Sequence, residues 1–144
     1  MVPKKIGMIT VGQSPRADMV PEIREILGEG IEVLEAGALD EMSLEQVRGL
    51  YPRERDYILC TRMADGTEVV IGKRYIIPRI QEHIHRLTRA GAKLILLLCT
   101  GKFPEFSSER LLIEPQKMLD HFMFALQGKE RRIGLMVPLQ DQIE

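Results

Sequence analysis

Residues 93–101 read KLILLLCTG: a lysine, five aliphatic residues without interruption, then cysteine, threonine and glycine. A run this short and this uniformly apolar reads as a buried strand. It is far too short to cross a bilayer, which takes about 20 apolar residues. The rest of the chain repeats the theme. Lys4 to Val11 is a second apolar, β-branched run, and Ile31 to Leu39 a third. Leu111 to Ile113 is a very short fourth, and Arg132 to Val137 reads as a last strand.

Helical patterns lie between these runs. Asp18 stands where an N-cap belongs, with Pro21 tolerated in the first turn, Ile23, Ile26 and Leu27 on one face, and Gly28 and Gly30 to stop the helix. Ser43 and Gln46 form a capping-box pair for a short helix through Leu50. Ile76, Ile80, Ile84 and Leu87 keep helical spacing, with Pro78 either opening or kinking that helix and Gly91 ending it. Pro115 suits a first helical residue, and Met118, Leu119, Phe122 and Leu126 predict a buried stripe up to Gly128. One segment breaks the alternation: Tyr57–Met63 and Thr67–Ile71 flank Ala64-Asp65-Gly66, a hairpin signature.

Strands alternating with helices predict an α/β fold, a mostly parallel sheet flanked by helices on both faces, with the hairpin as an insertion. In such sheets ligands bind beyond the carboxyl ends of the strands, where strand order reverses. Two strand ends here carry small, polar or reactive residues: GQSPR at residues 12–16, and CTG at residues 99–101.

In the first, Gly12 allows a tight exit from the strand, Ser14 supplies a hydroxyl and Arg16 a planar fork suited to carboxylate or phosphate. The spacing is neither a P-loop nor a dinucleotide fingerprint, and a plain Ser-Pro turn with a solvated arginine accounts for it equally well. In the second, Cys99 is either the last small hydrophobe of a core strand or a thiol presented beside open backbone amides that favour thiolate. Cys60 falls within the hairpin and reads as mid-sheet and inert. His83 and His85 are two apart on a helix and point to different sides, His121 has no thiol or acid at ligand spacing, and no metal motif is present.

Charge excludes further classes. Twenty basic and 21 acidic residues leave a net charge of −1, so no global field draws nucleic acid or an anionic membrane. The basic set Lys73, Arg74, Arg79, Arg86, Arg89 and Lys93 reads as a solvated helix face, because only Tyr75 is interleaved with it. Two cysteines and no apolar leader near the start point to free thiols and a cytoplasmic protein. A weak echo links KKIGMITVGQSP at residues 4–15 with RRIGLMVPLQDQ at residues 131–142, as if a second copy of the fold began there.

Taken together, KIGMITVGQSPRADM (5–19), the TR…DGTEVV hairpin, LLLCTGKFP (96–104) and LLIEP (111–115) resemble the AroM family. That family is in turn similar to the aspartate/glutamate racemase superfamily. The resemblance implies a cofactor-independent, racemase- or isomerase-like enzyme built of two similar α/β halves. A small carboxylate or other small anion would lie between them, flanked by one proton-transferring thiol from each half. Cys99 falls at the first-half thiol and Thr100 at the threonine of a Cys-Asn-Thr pattern whose Asn is absent here. Gln13 and Ser14 fall near the Asp-Ser that leaves the first strand in glutamate racemases, with Gln13 replacing the acid. Glu114 and Pro115 fit the strand end before the last helix of the first half.

The expected site is therefore Cys99 as catalyst, with Gln13, Ser14, Arg16, Thr100 and Gly101 holding the anion. Residues 1–130 would be the first racemase-like domain and 131–144 the opening strand of a truncated or missing second one, which would supply the second thiol. A non-catalytic anion-binding or regulatory module is the alternative, and a homodimer through the unfinished edge a further expectation.

Overall fold

The computed structural model describes residues 4–126, 128, 132–134, 136, 139 and 140. Four strands, β1 (Lys4–Thr10), β2 (Ile31–Gly37), β5 (Leu94–Leu98) and β6 (Leu111–Ile113), form one sheet in the order β2-β1-β5-β6, all parallel. Two more, β3 (Ile58–Arg62) and β4 (Glu68–Gly72), form a separate antiparallel hairpin. The helices are α1 (Val20–Leu27), α2 (Leu44–Arg48), α3 (Ile77–Arg89) and α4 (Pro115–Ala125), with a 3-10 turn at Lys73–Tyr75 leading into α3.

Side-chain alternation along the central strands builds two cores. Ile9 of β1 and Val11 just beyond its end, with Ile95 and Leu97 of β5, pack against Ile80, Ile84 and Leu87 of α3. Met8 and Val33, with Leu96 and Leu98, pack on the other face against Val20, Ile23 and Leu27 of α1. Gly7 lets α3 lie close on the sheet, because a Cβ there would stand 2.9 Å from a methyl of Leu87. The hairpin adds Leu59, Met63, Val69 and Ile71 to the α3-side core. Its turn has the expected chemistry: Gly66 takes φ +88, and the Asp65 carboxylate accepts from the Thr67 amide at 2.8 Å.

Several expectations change. Met19, not Asp18, caps α1, and no side chain bonds the cap, because Asp18 is drawn to Arg16 instead. Ile26 is 86% exposed, so Val20, Ile23 and Leu27 make the buried face. β2 stops at Gly37 because its amide turns to the Asp40 carboxylate at 2.7 Å. No residue of α4 is buried, and Met118 and Phe122 are 63% and 61% exposed. Pro78 opens α3 rather than kinking it. The expected strand at 132–137 lies partly outside the described residues, and Arg132, Ile133 and Gly134 carry no strand. Among the described residues no helix is long and apolar enough to cross a membrane.

Candidate functional site

The chain adds β2 to one side of β1 and then β5 to the other, so strand order reverses between β1 and β5. Thr10 pairs with Leu98, which brings both chemically marked strand ends, residues 12–16 and 99–101, to the same edge of the sheet. This is where an open parallel sheet leaves a crevice.

The exit of β1 is held by a dense polar network. Gln13 uses its whole amide: Nε2 donates to the carbonyls of Leu39 (3.1 Å) and Met42 (2.8 Å), and Oε1 accepts from the Ala64 amide at 2.9 Å. It therefore clips the loop to the turn after β2 and to the hairpin. Ser14 meets Asp40 twice, through its amide (2.7 Å) and its hydroxyl (2.8 Å), and the Asp40 carboxylate also accepts from Gly37. The Ser14–Pro15 peptide is cis. The Arg16 amide donates to Glu35 at 2.9 Å. The Arg16 side chain donates to Thr10 Oγ1 at 3.0 Å and closes a two-pronged pair on both Asp18 oxygens at 2.8 and 2.7 Å. Those bonds from Arg16 hold the Asp18 carboxyl down at about 2 and raise the guanidinium in turn.

Gly12 allows the hairpin to rest on this exit. A Cβ there would collide with the Arg62 carbonyl and stand 2.5 Å from Thr61 Oγ1, and the Gln13 amide donates to that same Arg62 carbonyl at 3.0 Å.

The exit of β5 is built differently. Cys99 continues the alternation of Ile95 and Leu97, so it packs on the α3-side core. Its Sγ accepts from the Gly101 amide at 3.2 Å. Burial pushes the thiol upward and outweighs the pull of that amide, so Cys99 carries its proton at neutral pH. Gly101 sits against Leu59 and Phe103, so an apolar wall backs the sulfur, while Thr100 is exposed. The following segment is tied down by Lys73, which donates to the Lys102 carbonyl at 2.7 Å from above the Tyr57 ring. Gln81 holds Ser107 through two bonds, at 2.8 and 2.9 Å. Glu114, at the end of β6, is buried and paired with Lys117.

The structure thus gathers all six expected residues at one sheet edge, but in two clusters, with Gln13 engaged at both ends of its amide. Sequence reasoning missed Asp40 and Asp18, the acids that organise Ser14 and Arg16. It also placed Arg79 and Lys73 on a solvated face. Arg79 donates to the carbonyls of Ala38 and Asp40, shaping the turn that carries Asp40. His83 is buried against the Gly37 carbonyl at 2.9 Å, and burial together with Arg86 and Arg79 lowers its pKa. Cys60 is mid-strand, opposite Val70, with its thiol raised by burial. Among the described residues no group of three His, Cys, Asp or Glu could hold a metal ion.

The family model described as AroM protein matches residues 6–144. Comparison with curated proteins and with solved structures returns no match.

Proposed function

Because the chain belongs to the AroM family, we propose that the ends of β1 and β5 form one site for a small carboxylate, at which Cys99 transfers a proton. The observation that carries this reading is the Gly101 amide aimed at Cys99 Sγ, 3.2 Å away, where strand order reverses. Arg16 and the loop around Ser14 hold the ligand carboxylate, Thr100 and Gly101 border its other side, and Gln13 fixes the loop that presents them.

The proton accounting follows from the half-buried thiol. Cys99 starts as the neutral acid. A base on the opposite face of the ligand removes the proton from the carbon beside the carboxylate, and Cys99 donates its own proton to that carbon. The thiolate left behind is stabilised by the Gly101 amide, and in the reverse direction it is the base. The opposing base belongs to a second half beginning near residue 131, with residues up to 130 forming the first.

The test, on a form of the protein that carries the second half, is proton exchange in heavy water with a panel of small 2-substituted carboxylates, followed as loss of the adjacent C–H signal. Exchange is expected to fall at least a hundredfold in Cys99→Ser. Carboxylate affinity should fall about tenfold in Arg16→Ala, or about 1.4 kcal/mol. A second reading, anion binding without turnover, is favoured by the polar network at the exit of β1, which involves no thiol. It predicts carboxylate binding that Cys99→Ser leaves intact, with no exchange by either protein. No binding by the unmodified chain would overturn both readings.

A further inference from the structure

The Arg16 fork already holds a carboxylate, and that carboxylate belongs to the chain itself. Arg16 Nε and Nη2 meet the two oxygens of Asp18 at 2.8 and 2.7 Å, the parallel arrangement that an arginine makes with any planar carboxylate. The two partners are held unequally. The Arg16 side chain is 15% exposed, fastened at its remaining prong to the buried Thr10 hydroxyl (3.0 Å) and at its amide to Glu35 (2.9 Å). The Asp18 side chain is 41% exposed, and Arg16 is the one side chain with which it shares a hydrogen bond among the described residues. It also forgoes capping α1, whose cap falls on Met19 without a side-chain bond. Arg16 is built in, while Asp18 can leave: a rotation of its side chain would return it to water and to the start of the helix, where an acid is favoured.

Resting on the carboxylate site proposed above, we infer that Asp18 is the specificity-determining residue of that site: it occupies the Arg16 fork as an internal competitor, and a ligand carboxylate binds by taking its place. Two consequences follow from the chemistry. Every ligand competes with a group two residues away, at high effective concentration, so simple carboxylates bind weakly. An anion that cannot accept two parallel N–H bonds, such as chloride, does not match what Asp18 gives up. The displaced Asp18 then carries an unpaired negative charge near the site, which disfavours ligands with a second acidic group on that side.

The Arg16 Nε–H signal in nitrogen-15 correlation spectra reads this exchange directly. Acetate and chloride are titrated into the unmodified chain, Asp18→Ala and Asp18→Asn, the last keeping the side-chain shape in case the alanine variant folds poorly. Acetate is expected to bind at least tenfold more tightly to both variants than to the unmodified chain, and chloride to remain weaker than acetate in all three. Acetate affinities within twofold of one another would overturn the proposal, as would chloride binding as tightly as acetate. Shifts confined to the Cys99–Gly101 amides, with Arg16 Nε–H unmoved, would end the Asp18 exchange while leaving a carboxylate site at β5. Shifts at neither strand end in any variant would end both.

Discussion

The two strand ends at the point of reversal lie side by side yet are made of opposite materials. The exit of β1 is a polar lattice in which Gln13, Ser14 and Arg16 bond to Leu39, Met42, Asp40, Ala64, Thr10 and Asp18. The exit of β5 is a thiol with one amide bond, backed by Leu59 and Phe103. The first arrangement fixes charge and direction in advance. The second favours the proton on sulfur through the partial burial of the thiol. In the proposed site the polar exit binds and the thiol exit carries the proton, and one sheet edge brings them together because Thr10 of β1 pairs with Leu98 of β5, 88 positions further along the chain.

The sharpest way to break this contrast is a matched pair of substitutions. Neither Gly12 nor Gly101 has a positive φ, so alanine is allowed by the backbone at both and only the surroundings differ. At Gly12 the new methyl meets the hairpin backbone at Arg62. Gly12→Ala should cost about 3 kcal/mol, since main chain yields poorly to overpacking. At Gly101 the nearest atom is a Leu59 methyl at 3.1 Å, the end of a flexible side chain. Gly101→Ala should cost about 1 kcal/mol or less. Urea unfolding of the two variants gives both numbers, and equal costs would mean that the exits are equally rigid.

Next in size is Asp40→Ala, which strips three hydrogen bonds from Ser14 and Gly37 and leaves their amides unsatisfied. A loss of about 2 kcal/mol is expected in urea unfolding, with the amide signals of residues 12–16 shifting and those of 99–101 unmoved. Shifts at both ends would show the two exits to be one cooperative unit.

The smallest effect concerns His83, which braces the same turn from α3. Its folded pKa is lowered by burial and by Arg86 and Arg79, with the Gly37 carbonyl and Asp40 opposing. The unfolded chain therefore binds the proton first. Stability from this group is complete above the ordinary histidine value of about 6.5 and is lost as pH falls from there towards the folded pKa. His83→Gln should flatten that part of the stability–pH curve, and an unchanged slope would remove His83 from this role.

How much of this was legible depended on distance along the chain. The Ser43–Gln46 capping box, the Asp65-Gly66 turn and the Ile80, Ile84, Leu87 stripe are local patterns, and each forms as its spacing predicts. The parallel sheet followed from the alternation of strands and helices, and the two strand ends from the residues that leave them. Asp40 was not legible, because it meets Ser14 across 26 residues and a lone acid in a turn has no signature. Asp18 was misread because two local roles compete for one carboxylate, and the charged fork of Arg16 outweighs the helix amides. The apolar spacing of α4 was real but did not report burial, since Met118 and Phe122 lie on its exposed side.

The central claim is that the two unlike exits serve one ligand. Backbone amide shifts during titration with a small carboxylate test it most directly. The account predicts that the amides of residues 12–18 and of residues 99–101 move together along one binding curve, with the same apparent Kd. Movement at one exit alone, or at both with different Kd values, would contradict it.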